Sequence, residues 1–137
     1  MHIVIFAFLF ENLYILVLCI VMKRKTIRNH RDFLTTPNDL MVRSDCFIAK
    51  AKNAKLKNDA RYGLIVSKRN FKLAVDRNRA KRLLRDWIAF NEELMLPDMD
   101  YIFIAGPRIL TCSREDGRKK IYQVLTKLAQ LHINNAK

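Results

Sequence analysis

The spacing of apolar residues after the first two dozen positions predicts two neighbouring strands and a later, more deeply buried one. Residues 43–52 alternate with period two, as in a half-exposed strand. Phe47, Ala49 and Ala51 share one side, and Cys46, Ile48, Lys50 and Lys52 share the other, wet side. Residues 61–67 have high β-propensity. The polar residues 53–59 between the two runs predict a hairpin, and the continuous apolar run 100–105 is typical of a central strand.

Helical spacing predicts two helices and one short helical turn. From Asp76 to the stop at Pro97, the apolar stripe consists of Ala80, Leu83, Leu84, Trp87 and Ile88. Ser113 and Asp116 stand in capping-box register before a last helix. Its stripe comprises Ile121, Val124, Leu125, Leu128, Leu131 and His132. Ahead of the strands, a basic run leads into a turn at residues 29–35, anchored by Phe33 and ended by Pro37.

Residues 1–21 form an apolar extension in which His2, Glu11 and Asn12 are the non-apolar positions. A signal peptide would carry a basic start and a small-residue cleavage site, and neither is present. As a membrane span, the segment would place Glu11 near the bilayer centre at a cost of roughly 2.5 to 3.5 kcal/mol. We expect it to be sequence upstream of a true start at Met22, with a membrane segment as the alternative. Residues 22–137 then form a single domain, which lies in the cytoplasm under both interpretations.

The charge balance points to a polyanionic partner. The chain has 26 Lys and Arg against 13 Asp and Glu, a formal net charge of +13, and a field of that size attracts nucleic acid or an anionic membrane. Its three cysteines are widely spaced, which fits neither a disulfide framework nor a paired-cysteine metal knuckle. The histidines lack ligand spacing as well, so we expect no metal ligands.

Residues 67–85, which run from the end of the second strand into the long helix, are rich in lysine and arginine. At 100° per residue, the side opposite the apolar stripe carries Asn78, Lys81, Arg82 and Arg85, with Arg77 and Arg79 on its flanks. Cations in the first turn of a helix oppose its macrodipole, and a bound phosphate would reverse that penalty. The pattern therefore predicts an anion-binding surface. A merely solubilising face is the alternative, although such faces normally mix both charge signs.

These residues resemble the signature of the bacterial ribonuclease P protein family. The resemblance rests on Ser67-Lys68-Arg69, Ala74, Arg77-Asn78-Arg79, Lys81-Arg82 and Arg85, and extends over about residues 23–131. It implies an α+β fold, a two-layer α/β sandwich of the ribosomal-protein-like kind with a small mixed sheet. The implied element order is α-β-β-(β)-α-β-α, with a left-handed βαβ crossover, an exception to the usual hand.

The resemblance also implies a function: a subunit that binds the catalytic RNA of ribonuclease P and the 5′ leader of precursor tRNA. The RNA would carry the active site and require Mg²⁺, so no catalytic residue, no protein-bound cofactor and no stable protein partner are expected here. Facing the RNA subunit would be Arg77, Asn78, Arg79, Lys81, Arg82 and Arg85. Facing the leader would be Phe33, Phe47, Lys50, Lys68 and Arg69.

Other interpretations stay open at this point. Core packing is an equal explanation for Phe33 and Phe47, and it is the expectation for Trp87. Asp98 and Asp100 could hold Mg²⁺, but a polar loop before a strand accounts for them more simply. A protein nuclease acting alone would need clustered carboxylates or a histidine base. A membrane-anchored basic protein is favoured by residues 1–21 alone.

Overall fold

The computed structural model describes residues 25–34, 36, 38–54 and 60–135. The expectations for residues 1–21, for a start at Met22 and for Pro37 lie outside these ranges. Within them, none of the helices combines the length and the apolar character that crossing a membrane requires.

Five strands form one mixed sheet in the order β1-β4-β5-β3-β2. In chain order they are β1 (Lys25–Thr26), β2 (Leu40–Arg43), β3 (Phe47–Asn53), β4 (Arg61–Ile65) and β5 (Met99–Ala105). The predicted central strand is confirmed as β5, which pairs in parallel with β4 and antiparallel with β3. Its apolar run suits this place because a strand flanked on both sides and covered over most of its length has little contact with water.

The predicted hairpin between residues 43–52 and 61–67 is wrong, because β5 lies between β3 and β4. The hairpin partner of β3 is β2, a four-residue strand of which the predicted run 43–52 includes only Arg43. A tight turn separates the two, in which the amide of Ser44 donates to the carbonyl oxygen of Phe47 at 2.9 Å. Pairing both longer strands with the apolar β5 buries more apolar surface than a local hairpin would.

The first helix, α1 (Ala74–Phe90), buries Ala80, Leu84, Trp87 and Ile88, as the helical spacing predicts. It ends at Phe90 rather than near Leu96. The side-chain amide of Asn91 donates to the carbonyl oxygen of Trp87 (3.0 Å), which satisfies a group at the helix end, and to that of Arg118 (2.9 Å), which ties this end to a later segment of the chain. A short 3-10 turn, Glu92–Leu94, follows.

The last helix, α2 (Arg114–Asn135), begins at the predicted cap, where the amide of Asp116 donates to Ser113 Oγ at 3.2 Å. Its predicted stripe is buried as far as Leu128. Leu131 is 37% exposed, and His132 lies at the surface beside Asp98. The buried part of the stripe therefore stops one turn earlier than the pattern suggests.

The two helices approach each other closely at Gly117 of α2. A Cβ at this position would overlap the indole ring of Trp87, whose side chain is fully buried. Because Gly117 has no side chain, the ring of Trp87 fits between the two helices.

Strand β4, helix α1 and strand β5 form the parallel βαβ crossover that the family resemblance implies, with Leu64 beside Phe103 in the register. The two-layer α+β fold is confirmed, with both helices on one face of the sheet. The left-handed sense of the crossover stays a prediction. The helical turn expected at residues 29–35 is a 3-10 turn, His30–Phe33.

Candidate nucleic-acid interface

The sheet has a second face, which the helices do not cover. Along β3, Phe47 and Ala49 belong to the core beneath the helices, whereas Ile48 and Lys50 are half-buried on the other side. This alternation follows from the pleat of a strand, in which successive side chains point to opposite faces. Any ligand of the sheet must therefore use the side of Ile48 and Lys50.

The segment before β2 covers one end of this face and is held there by charge. The ammonium group of Lys52 donates to the carbonyl oxygens of Asp32 and Leu34. Arg61 Nη1 lies 3.4 Å from Asp32 Oδ2, while its Nε and Nη2 donate to both oxygens of Asp100 at 3.1 and 2.6 Å. This buried hydrogen-bonded carboxylate raises the pKa of Arg61. The network fixes the 3-10 turn on the sheet.

Phe33, predicted to contact the leader, is half-buried at the edge of this covered region. Its ring lies over Gly63, where a Cβ would come within 2.8 Å of Phe33 Cζ. Gly63 neighbours Ile102 in the sheet, and Ile102 neighbours Lys50. Since adjacent strands are ~4.8 Å apart, Phe33 and Lys50 stand about 10 Å apart on the same face.

Beyond this row the sheet face is not covered by the 3-10 turn. The next row runs through Ile65, Ile104 and Ile48, which are neighbours across three strands and are each half-buried. We call the group Phe33, Ile48, Lys50, Ile65 and Ile104 the sheet surface. Sequence reasoning missed its three isoleucines, although their even spacing from Lys50, Gly63 and Ile102 is a signal that could have found them.

Phe47 is separated from the other predicted leader contacts. It is 2% exposed, and its ring packs against Phe103 with centroids 6.1 Å apart. Phe47 therefore packs in the core, as the alternative interpretation of this residue expects. Phe47 stands three positions from Lys50, an odd number, so the pleat places the two on opposite faces.

Lys68 and Arg69 lie exposed in the turn that follows β4. The amide of Phe71 donates to the carbonyl oxygen of Ser67 at 3.1 Å. The side chain of Asn70 reaches the carbonyl oxygen of Ala105 at 3.4 Å. Because β4 and β5 are parallel, both end at this edge of the sheet. The turn thus connects the row of isoleucines with the beginning of α1.

Most of the predicted RNA-facing residues are gathered on the outer side of α1. Asn78, Arg79, Arg82 and Arg85 are exposed, while Lys81 is half-buried. Together with Arg77, these residues form what we call the α1 basic surface. At 1.5 Å per residue they extend over about 12 Å of helix axis. Asn78, Arg79, Arg82 and Arg85 therefore share one exposed side of the helix, whereas Arg77, three and seven positions before the buried Ala80 and Leu84, lies toward the core side.

Arg77 differs from the other cations of this surface. Its Nη1 donates to the carbonyl oxygens of Phe71 at 2.8 Å and Lys72 at 3.2 Å. The N-cap residue, Leu73, makes no side-chain capping bond. Arg77 therefore ties the entry loop to the first turn of α1, a structural role that helical spacing alone does not indicate.

An acid on the same helix is neutralised from α2. Asp86 accepts hydrogen bonds from Arg114 (2.9 and 3.2 Å) and from Arg118 (3.3 Å). These bonds, that of Arg114 first, lower the pKa of Asp86. The two guanidinium groups, which sequence reasoning missed, bring further positive charge beside α1.

The carboxylates considered for Mg²⁺ have other contacts. Asp100 is bound to Arg61, and Asp98 Oδ2 lies 3.3 Å from His132 Nε2. Across the described ranges, His, Cys, Asp and Glu side chains form no group of three or more able to hold a metal ion.

Comparisons with known proteins agree with this architecture. The sequence model of the family described as Ribonuclease P matches residues 21–129. A ribonuclease P protein component of Lactobacillus delbrueckii is 30% identical over 104 residues, which cover 75% of this chain and 86% of the relative. One from Vibrio parahaemolyticus is 38% identical over 84 residues, 61% of this chain and 66% of the relative. The match to one from Pseudomonas entomophila spans 33% of that protein, at 47% identity.

Solved structures give the same result. The RNase P protein of Staphylococcus aureus superposes with a TM-score of 0.63 at 25% identity, covering 76% of this chain and 94% of that one. The RNase P protein from Thermotoga maritima superposes with a TM-score of 0.64 at 20% identity, covering 76% and 97%, and shows the likeness of the fold alone.

The fold and its surfaces define a small basic α+β domain with a cationic crossover helix and a partly open sheet. The family match, which covers more than half of the chain, identifies it further. The chain belongs to the ribonuclease P protein family.

Proposed function

We propose that this protein is the protein subunit of a bacterial ribonuclease P. In this role it binds the catalytic RNA through the α1 basic surface and helps that RNA remove the 5′ leader from precursor tRNA in the cytoplasm. The observation that carries the proposal is the exposed group Asn78, Arg79, Arg82 and Arg85 on one side of α1, in a member of this family. Guanidinium groups spaced along a helix suit phosphate contacts, which position an RNA without reading its sequence.

The sheet surface is proposed to hold the leader. A single strand can lay its bases on half-buried apolar side chains while cations contact its phosphates. The apolar side chains under the bases would be those of Ile48, Ile65 and Ile104. The cations at the phosphates would be Lys50, Lys68 and Arg69. The ring of Phe33 lies over Gly63 in the neighbouring row of the same face, so it keeps its proposed role, whereas Phe47 is buried in the core and does not.

In this proposal the hydrolysis belongs to the RNA, with Mg²⁺ supplied to the RNA rather than to the protein. The protein's share is to neutralise phosphates and to position the leader. Asp32 and Asp100, two carboxylates on this side of the sheet, both form ion pairs with Arg61. This is consistent with hydrolysis by the RNA rather than by the protein.

Reconstitution of cleavage tests the proposal. Labelled precursor tRNA is incubated with the full chain alone, with a bacterial ribonuclease P RNA alone, and with both, at low Mg²⁺. We expect cleavage at the mature 5′ end with both components, faster than with RNA alone, and none with the protein alone. Turnover by the RNA-free protein, or no acceleration of the RNA, would contradict the proposal.

A further inference from the structure

Helix α1 carries two large exposed apolar side chains: Phe90, its last residue, which packs against the guanidinium of Arg118, and Val75, in its cationic first turn. Val75 is 75% exposed, the most exposed of the large apolar side chains described, and the neighbouring Leu73 is 64% exposed. Both stand next to a stretch in which Lys68, Arg69 and Lys72 are also exposed.

Helical spacing places Val75 on the α1 basic surface rather than near the core. Asn78, Arg79 and Arg82 follow it at three, four and seven positions, so all four share one stripe. The buried residues Ala80 and Leu84 lie on the opposite side of the helix. Val75 thus places an apolar side chain in the first helical turn of the surface proposed to bind RNA.

Folding gives no local reason for valine at this position. A β-branched residue is a poorer helix former than alanine, and an exposed one gains little from burial. A hydrophobic staple would pair the residue before the cap with the fourth helical residue, which here are Lys72 and Arg77. Val75 contributes to neither the core nor the cap.

We propose that Val75 packs against the apolar face of a ribose or base in the RNA bound by the α1 basic surface. The inference rests on the proposed function and adds a contact that is independent of charge. RNA is favoured as the occupant because the cations around Val75 complement phosphates. Phosphate contacts release counterions and depend on salt, whereas an apolar contact does not. Val75 thereby holds the RNA in one register while the arginines supply general attraction.

The test compares Val75→Ala with Ile133→Ala, a change at another exposed β-branched helical residue that is 57% exposed and lies on α2. Affinity of the full chain for a bacterial ribonuclease P RNA is measured over a range of salt, alongside thermal melts. For Val75→Ala we expect about three- to tenfold weaker binding at every salt concentration, corresponding to partial loss of a buried contact. The salt slope should not change, and the melting temperature should stay or rise, since alanine favours the helix. Ile133→Ala should bind as the unchanged protein does.

Other results would overturn the inference. Unchanged affinity for Val75→Ala would show that the side chain does not touch RNA, and a smaller salt slope would show that it acts through the cations. If the unchanged protein self-associates in sedimentation and Val75→Ala abolishes this without weakening RNA binding, the occupant is a second copy. Failure of the proposed function itself would look different, since the unchanged protein would then not bind the RNA.

Discussion

The ring of Phe33 lies directly over Gly63, so that the 3-10 turn before β2 rests on the sheet at a position without a side chain. This contact places the ring of Phe33 on the row of the sheet face that contains Gly63, Ile102 and Lys50. It therefore links the stability of the N-terminal segment to the shape of the sheet surface.

Gly63→Ala should destabilise the protein because its Cβ would overlap the Phe33 ring. In a Phe33→Ala background the same change should cost clearly less, since the ring is gone. Thermal melts of the two single variants and the double variant form a double-mutant cycle. Additive losses would show that the two residues do not touch in solution.

Asp100→Ala should be strongly destabilising, by roughly 3 to 5 kcal/mol, because it removes the carboxylate that makes two hydrogen bonds to the buried guanidinium of Arg61 and leaves that group with the longer contact to Asp32 at 3.4 Å. Arg61 and Asp100 are 10% and 1% exposed at their side chains. Asp98→Ala is the matched control, since that side chain is 63% exposed. Denaturant unfolding measures both, and equal small losses would mean that the buried pair contributes little.

Much of this architecture follows from local patterns. A period of 3.6 residues was enough to predict that Ala80, Leu84, Trp87 and Ile88 are buried. The apolar run of β5 was enough to predict the central strand of the sheet. The hairpin prediction failed because nearness in sequence does not reveal that β5, whose residues lie 39 positions after their partners in β4, inserts between β3 and β4.

The candidate site was predictable to the extent that periodicity governs it. The exposed residues of α1 followed from helical angles. Phe47 was proposed for its aromatic character, although its odd separation from Lys50 already placed it on the other face. The contacts of Arg77 to the carbonyls of Phe71 and Lys72 depend on the conformation of a loop, which no period encodes.

The pair formed by Asp86 with Arg114 and Arg118 should show in the pH dependence of stability. The pKa of Asp86 is lower in the folded protein than its ordinary value of 3.8. A lowered folded pKa contributes stability above the unfolded pKa, and this is lost as pH falls through the folded value. Asp86→Asn should therefore be less stable than the unchanged protein at pH 7, and the difference should shrink as the pH falls below about 4. A difference that stays constant in acid would contradict this.

Arg77 and Arg79 should respond differently to substitution. Arg77→Ala removes the contacts to the entry loop as well as a charge, so both the melting temperature and RNA affinity should fall. Arg79→Ala removes an exposed charge, so RNA affinity should fall with little change in melting temperature. Melts and binding isotherms of the two variants measure this, and identical melting temperatures would show that the loop contacts of Arg77 do not matter.

The most direct test of RNA binding by the α1 basic surface is the salt dependence of affinity for a bacterial ribonuclease P RNA. Arg79→Gln, Arg82→Gln and Arg85→Gln are compared with Lys127→Gln, a change at an exposed cation of α2. Each arginine variant should melt normally, bind more weakly, and lower the slope of log affinity against log salt by about 0.7 to 0.9 per lost phosphate contact. Lys127→Gln should leave the slope unchanged. If the folded arginine variants bind with the slope and affinity of the unchanged protein, the helix is a solubilising face and does not bind RNA.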